Sequence, residues 1–390
     1  MKVIKLIIVL LSFSFASSCS WDALTSPSKW FSDDETFIRE LRDVQNTISV
    51  KKIWSYSLDG DFDEYYNAVH PFISDALIFI ADDTGSVASL SGETGKVNWK
   101  VKIGLTPFSG LTADDRHVYL GTYQETVTAL EVQNGKIAWQ VIIPGEVMSV
   151  SEPSNDTLIV RTNDNKLLAL DINTGNVNWQ SSHATPALTL RGASRPVVFE
   201  NRVYVGYDDG KLSAYNIENG YLVWEVRIMA PFGRSDIDRL IDIDGHIVVS
   251  DNFVYAVSYQ GNLAAVDIKT GRIVWSRELS SYTGLAVDDV QIYVADDEGG
   301  VWAFDKNSGA SVWKQEDLMR RQPSRPTVVG TNIVVCDYEG YLHWINTLDG
   351  SFVGRNKIGN QLQSPLESKF NRLYTYDKDS KFTVFESDFN

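Results

Sequence analysis

Residues able to carry out acid–base, metal or phosphate chemistry are few in this sequence, and they are not grouped. No two of the five histidines stand at the spacing of a metal-binding pair such as H-x-H or H-E-x-x-H; they are His70, His117, His183, His246 and His343. Gly-Lys occurs at 95–96, 135–136 and 210–211, but Ser or Thr never follows, so none is a phosphate-binding loop. A G-x-S-x-G nucleophile motif is also missing from the sequence. These patterns predict no catalytic residue, no metal site and no cofactor.

Two acidic segments have side chains of the type that binds Ca²⁺. They run from Asp59 to Asp63 and from Asp305 to Gly309, and carboxylate oxygens are the ligands that Ca²⁺ prefers. Neither segment continues to the bidentate Glu of an EF-hand, so both are interpreted as Asx turns in solvated loops. The chain has 51 acidic and 35 basic side chains and a net charge of −16. This charge disfavours a nucleic-acid partner, because nothing offsets the repulsion of the phosphates.

The N-terminus has the pattern of an export signal. Lys2 and Lys5 precede the apolar stretch Leu6 to Ala16, which is too short to span a bilayer. Small residues then lead to Cys19, as in the lipobox of bacterial lipoproteins, where the thiol is acylated with fatty acids such as palmitate. We therefore predict a signal peptide over 1–18 and lipidation of Cys19; ordinary secretion with a chance cysteine is the alternative. Cys336 lies in an apolar run and is interpreted as a small buried hydrophobe.

A repeat dominates the rest of the chain. Six times a Gly stands four residues before a Trp; these tryptophans are Trp99, Trp139, Trp179, Trp224, Trp275 and Trp313. Trp54 ends one further copy, and the copy from Gly350 to Gly354 lacks its Trp. A repeat of about 43 residues is typical of the four-stranded blades of a β-propeller. We predict that these seven tryptophans are structural and fill the gaps between blades.

Each repeat contains β-branched runs separated by Asp, Asn and Gly turns, which indicates antiparallel hairpins. Strands apolar at consecutive positions indicate sheets covered on both faces, as in stacked blades. Eight closing strands predict an all-β, eight-bladed propeller of four-stranded antiparallel blades over 45–390, with 19–44 as a lipidated tether. Only three strands follow Gly354, so the N-terminal strand is expected to complete the last blade and close the ring. A seven-bladed ring with one unpaired copy is the alternative.

The Gly-x-x-x-Trp repeat resembles that of quinoprotein alcohol dehydrogenases. Those enzymes typically need a calcium site and a vicinal cysteine pair, which this chain does not supply. Joined to a lipoprotein signal, the propeller resembles instead the BamB family of outer-membrane assembly factors. The segments that carry this resemblance are 63–71, 188–192, 237–244, 260–263 and 339–346, of which 188–192 and 237–244 are the most specific.

The resemblance implies a non-enzymatic scaffold of the outer-membrane β-barrel assembly machinery, anchored by lipid at the periplasmic face of the outer membrane. It implies binding to the POTRA domains of BamA and to the rest of the BAM complex, with unfolded outer-membrane proteins as candidate clients. The BamA-facing residues it assigns are Leu188, Leu190, Arg191, Asp242 and Asp244. Leu188 and Leu190 lie on one face of an extended segment, and Arg191 can donate bidentate hydrogen bonds.

Three alternatives stay open at this point. In the first, the two leucines are core residues of the next strand and the two aspartates only solvate a loop. In the second, the propeller binds a small ligand or a cell-wall glycan in its central channel. A quinone-dependent dehydrogenase is the third alternative.

Overall fold

The computed structural model describes residues 38–60, 62, 69–186, 194–230, 241–243, 245–369 and 371–388. The described chain from Arg39 onward forms one compact unit built of 32 strands in eight sheets, each with four antiparallel strands. In these ranges there is no helix with the length and apolarity needed to cross a membrane. The predicted eight-bladed, all-β propeller is confirmed.

The first four blades are formed by consecutive strands, each from the innermost to the outermost. Their bounds are β2 Phe72–Ile73, β3 Leu77–Ala81, β4 Ser86–Ser91 and β5 Val97–Lys102; β6 Thr112–Ala113, β7 His117–Thr122, β8 Thr126–Glu131 and β9 Ile137–Ile142; β10 Val147–Val150, β11 Thr157–Thr162, β12 Lys166–Asp171 and β13 Val177–Ser182; β14 Val197–Phe199, β15 Arg202–Gly206, β16 Lys211–Asn216 and β17 Leu222–Arg227.

Blades five to seven repeat this order, and the eighth takes its outermost strand from the N-terminus. The bounds are β18 Val248–Ser250, β19 Phe253–Val257, β20 Asn262–Asp267 and β21 Ile273–Glu278; β22 Leu285–Val287, β23 Gln291–Ala295, β24 Val301–Asp305 and β25 Ser311–Gln315; β26 Thr327–Val329, β27 Asn332–Cys336, β28 Tyr341–Asn346 and β29 Phe352–Lys357; β30 Glu367–Lys369, β31 Arg372–Tyr376, β32 Lys381–Asp388 and β1 Ser49–Ser57.

The N-terminal strand closes the ring as predicted. β1 pairs antiparallel with β32, from Ser49 opposite Asp388 to Ser57 opposite Lys381. All eight repeats are therefore used in one ring, and the seven-bladed alternative is wrong. This pairing ties the two ends of the described chain together and removes the edge that a linear array would expose.

The middle strands of each blade form the core. In β3 and β4 nearly every side chain is buried, because a neighbouring blade covers each face of the sheet. The outermost strand β5 alternates between exposed and less exposed positions along Val97–Lys102, since one of its faces meets solvent. The apolar runs seen in the sequence therefore belong to the inner part of each blade.

Seven tryptophans lie in the seams between blades, each against the glycine of the next blade's outer turn. These pairs are Trp54–Gly95, Trp99–Gly135, Trp139–Gly175, Trp179–Gly220, Trp224–Gly271, Trp275–Gly309 and Trp313–Gly350. A Cβ atom on Gly220 would lie 2.4 Å from Cε3 of Trp179, and the φ of Gly220 is +70°. Only glycine satisfies both the close approach of the indole and the left-handed turn.

The order of the strands defines two faces of the ring. Crossovers from the outermost strand of one blade to the innermost strand of the next lie on one face, together with the turns between second and third strands; we call this the crossover face. Turns between third and fourth strands, such as 267–271, lie on the opposite face. Along the chain, the sequence-predicted BamA-facing residues stand between β13 and β14 and between β17 and β18.

Candidate partner-binding surface

The segment that contains three of the sequence-predicted partner residues begins and ends in the described structure. Leu188, Leu190 and Arg191 lie outside the described residues, between Pro186 and Ser194. Thr185 precedes them and Ser194 follows them, so the surroundings of these two residues decide where the segment leaves and rejoins the ring.

A buried arginine holds both ends of this crossover. Arg161, on β11 of blade three, has a side chain that is 1% exposed and is paired with Asp208 of blade four, which is 5% exposed. Its Nη2 donates to Asp208 Oδ1 at 2.8 Å and to Asn165 Oδ1 at 2.8 Å. Its Nη1 donates to Gly206 O at 2.9 Å and more weakly to Ser194 O at 3.4 Å. A charge buried to this degree is tolerated when it is paired and hydrogen-bonded, as both Nη atoms are here, although Nε has no partner in the described part of the chain.

The same network reaches the other end of the crossover. Asn165 accepts from Arg161 and donates through Nδ2 to Asp208 Oδ2 at 3.3 Å and to Thr185 Oγ1 at 3.4 Å. The ion pair therefore joins blades three and four and fixes Thr185 and Ser194 at the same time. Sequence reasoning missed Arg161, although a lone Arg directly after the apolar run Leu158–Val160 was a visible signal of a buried charge.

A second polar cluster covers the outer side of this pair. The imidazole of His183 stacks on the ring of Tyr207 with 3.8 Å between centroids and 10° between planes. His183 Nε2 lies 3.3 Å from Asp209 Oδ1, and its Nδ1 lies 3.6 Å from Glu225 Oε2. Lys211 Nζ reaches both carboxylates, at 2.8 Å from Glu225 and 3.4 Å from Asp209.

These neighbours keep Asp209 ionised. Burial acts to raise the pKa of Asp209, but the contact with His183 and the charge of Lys211 outweigh it, and the pKa lies below its ordinary value. The hydrogen bond to Glu225 likewise raises the pKa of Lys211. The crossover from blade three to blade four is therefore flanked by a fixed set of charges of both signs, which suits recognition of a polar protein surface.

Of the two predicted acidic partner residues, the structure describes only one. Asp242 is described and its side chain is 1% exposed, between Ile241 and Ile243, which are 1% and 0% exposed. Its carbonyl accepts from the backbone N–H of Tyr259 at 2.9 Å, and the N–H of Ile243 donates to Tyr207 O at 3.3 Å. This places Asp242 within the packing of the crossover rather than on an open surface. Asp244 lies outside the described residues.

The described part of the chain does not gather the groups that metal chemistry would need. Within those ranges there is no cluster of three or more His, Cys, Asp or Glu side chains that could hold a metal ion. Cys336 is free and buried, and burial raises the pKa of its thiol well above the ordinary value. Cys19 lies outside the described residues.

Comparison with protein families gives a match over the central repeats. Residues 83–315 match the family model described as outer membrane protein assembly factor BamB. Curated proteins of that name are similar over most of their length. The protein from Escherichia coli K12 is 36% identical over 361 residues, which cover 90% of each chain. The protein from Pseudomonas aeruginosa is 46% identical over 319 residues, 82% of this chain and 84% of that one.

Solved structures show the same architecture. The crystal structure of BamB from Moraxella catarrhalis has a TM-score of 0.79 and 30% identity, and the match covers 87% of this chain and 100% of that one. Quinohemoprotein alcohol dehydrogenase from Comamonas testosteroni has a TM-score of 0.70 with 10% identity, over 86% of this chain and 76% of the enzyme. The likeness to the enzyme shows the fold alone.

Proposed function

The chain belongs to the family of outer membrane protein assembly factor BamB, and from this premise we propose that it is a non-enzymatic scaffold of the outer-membrane assembly (BAM) complex. The observation that carries the proposal is the 36% identity to the Escherichia coli assembly factor over 90% of both chains. The scaffold binds the POTRA domains of BamA and is held at the periplasmic face of the outer membrane by lipid on Cys19.

We infer that the partner binds on the crossover face, at the segment that contains Leu188, Leu190 and Arg191. The buried Arg161–Asp208 pair supports this inference, because its network makes hydrogen bonds with Thr185 and Ser194, the described residues on either side of that segment. Leucine anchors beside an arginine form a plausible binding hot spot. Asp242 contributes by shaping the neighbouring crossover, since it is buried in the free chain.

The entry point of the N-terminal segment fits this orientation. Arg39 Nη1 donates to Glu316 O at 2.9 Å, and Arg321 Nη1 donates to Arg39 O at 2.9 Å, so the chain meets the ring at the crossover from blade six to blade seven. This is the same face as the proposed partner surface.

The test is co-purification of BamA from detergent-solubilised envelopes. Leu188→Ala combined with Arg191→Ala is expected to leave the melting temperature unchanged and to reduce the retained BamA by about 30-fold, the effect of losing a hot spot of about 2 kcal/mol. The matched control is Leu348→Ala combined with Arg272→Ala. Both side chains are exposed in outer turns of the opposite face, and Leu348 is 78% exposed.

The two double variants differ only in the face that they change. Equal retention of BamA by wild type and both variants would refute the proposed surface. Equal loss by both variants would also refute it, because the effect would then not depend on the face. Failure of the wild-type chain to retain BamA would overturn the scaffold function itself.

A further inference from the structure

The innermost strands of the blades place one residue each at the same level of the hub. In six of the eight blades this residue stands two positions before the strand begins; the six are His70, Gly110, Arg195, His246, Arg325 and Pro365. We call these six residues the hub ring.

Members of the hub ring contact the neighbouring blade. The backbone N–H of Leu111 donates to His70 O at 2.9 Å. Arg195 Nε donates across the seam to Val150 O of blade three at 2.9 Å. Arg325 Nη2 approaches Leu366 O of blade eight at 3.4 Å, and His246 forms a parallel bridge with Gly284 of blade six. These contacts place the ring members around the central axis rather than on the outside of the propeller.

Four of the six side chains are cationic or basic, and they influence one another. Burial is the main reason that the pKa of His70 falls to about 3, and the charges of Arg195 and Arg325 lower it further. Burial likewise lowers the pKa of His246, again with contributions from both arginines and from His70. Both imidazoles are therefore neutral at pH 7, and each keeps one N–H donor.

The two arginines have donors that the described residues leave unused. Arg195 Nη2 and Arg325 Nε are buried atoms without a hydrogen-bond partner in the described part of the chain. Arg325 Nη2 is paired with Glu367 Oε1 at 3.1 Å, whereas Arg195 makes its one described side-chain hydrogen bond to a neutral carbonyl and meets the charges of Glu152 and Glu367 without a described hydrogen bond to either. Leaving a buried guanidinium N–H unpaired is unfavourable, and in native proteins such groups usually meet water or an ion.

We propose that the hub ring is a binding site for a small oxyanion, a carboxylate or a phosphate, held between Arg195 and Arg325. The planar guanidinium group matches the two oxygens of such an anion and forms charge-assisted hydrogen bonds with it. His70 and His246 donate their remaining N–H groups from opposite sides of the eight-bladed ring. This site is separate from the crossover surface that the scaffold function uses, and its occupancy is a further property of the chain.

The test is titration of the purified full chain with inorganic phosphate and, separately, with acetate, at constant ionic strength in chloride. Isothermal calorimetry is expected to show saturable binding of one anion per chain. Arg195→Gln and Arg325→Gln are each expected to weaken it by about tenfold, the effect of one charge-assisted hydrogen bond. The matched control Arg272→Gln removes an exposed arginine from an outer turn and is expected to bind as wild type does.

The outcomes separate the sources of the anion. Saturable binding of both anions supports a general oxyanion site, and binding of one alone identifies its chemistry. A wild-type chain that binds neither anion, or hub variants that bind as well as Arg272→Gln, would overturn the proposal. Circular dichroism identifies any variant that fails to fold, and the second hub arginine then decides the question. None of these results bears on co-purification of BamA.

Discussion

The seams between blades are of two kinds, and the difference shows how the ring is closed. In six seams an indole packs on a glycine and its Nε1 donates to the carbonyl three residues before that glycine. The distances run from 2.7 Å, for Trp99 to Val132 O, to 3.2 Å, for Trp275 to Lys306 O. Trp54 packs on Gly95 in the same way, but Gly92 O accepts from Arg372 Nη1 at 3.3 Å instead. In these seven seams the packing is apolar, and each seam contains one such hydrogen bond.

The seam between blades seven and eight is built differently. Gly354 stands where the repeat would place a Trp, and a Cβ there would lie 3.0 Å from Cγ1 of Ile48. Gly354 pairs with Trp344 of the adjacent strand, whereas Trp224 pairs with Ala214. The large and small side chains have therefore exchanged strands, and the space on the outer strand is taken by the N-terminal segment.

Polar contacts hold that segment in place. Thr47 N–H donates to Val353 O at 2.8 Å, and Arg355 N–H donates to Asn46 Oδ1 at 2.8 Å. Arg355 Nε donates to His343 Nδ1 at 3.1 Å, which leaves the hydrogen on Nε2 to donate to Asp337 Oδ2 at 3.1 Å. Asp337 also accepts from Arg321. The closing seam, between blades seven and eight, is thus held by a charged network that attaches the N-terminal segment to blade seven, to which no hairpin turn connects it.

The largest effects are expected from removal of the two buried indoles. Trp344→Ala and Trp224→Ala should each lower the free energy of unfolding by about 3–5 kcal/mol. Trp344 is 0% exposed but its Nε1 is without a partner among the described residues, whereas Trp224 is 9% exposed and bonded to Ile268 O at 2.9 Å. Urea titrations followed by circular dichroism measure both. A loss for Trp344→Ala below about 1 kcal/mol would show that the closing seam does not depend on the exchanged indole.

A smaller effect is expected from restoring the repeat. Gly354→Trp recreates the consensus residue but places an indole where Ile48 and Trp344 already lie, so it should destabilise the protein by about 1–3 kcal/mol through overpacking. It should also expose the Thr47 amide to hydrogen exchange, because the N-terminal segment is displaced. Increased stability in this variant would mean that the seams are equivalent and that Gly354 is merely a lost tryptophan.

The contrast between seams also explains what the sequence could predict. Blade number, the closing strand and the seam tryptophans all follow from a repeated pattern, in which each copy gives independent evidence for one geometry. Gly350–Gly354 was interpreted as a degenerate copy, since a repeat comparison cannot show that Trp344 on the neighbouring strand compensates for it. The N-terminal segment makes contacts more than 300 residues away along the chain, as between Asn46 and Arg355, and no local pattern indicates them.

The proposed partner surface was predictable only in part for a related reason. Leu188, Leu190 and Arg191 were assigned to it by resemblance and stay a prediction, and resemblance indicates a segment but not the residues that support it. Arg161 and Asp208 are 47 positions apart, and their pairing does not belong to the blade repeat, so no periodicity reveals them. Asp242 was expected to face a partner, but its neighbours Ile241 and Ile243 carry it into the packing of the crossover.

The smallest expected effect distinguishes the two kinds of seam by their response to acid. Burial lowers the pKa of His343 despite the opposing charge of Asp337, so the folded chain takes up a proton there less readily than the unfolded chain, whose imidazole titrates near 6.5. Stability is therefore retained above about pH 6.5 and lost as the pH falls below it, by at most about 1.4 kcal/mol per pH unit for this one group. Protonation would also break the hydrogen bond from Arg355, since Nδ1 then has no free lone pair.

The local readout is hydrogen exchange of the Thr47 amide between pH 7.5 and 5, corrected for the intrinsic exchange rate. Its protection should fall on acidification in wild type, and His343→Gln should reduce this fall. The Gly220 amide, which donates to Asn216 O at 2.9 Å in a tryptophan seam, serves as the internal reference. His70→Gln is the matched variant: it removes another imidazole of lowered pKa, but one in the hub, so it should flatten the global pH dependence without changing the response of Thr47. If Thr47 and Gly220 lose protection in parallel in all three proteins, acid opens the ring as a whole and the charged network around His343 has no separate role.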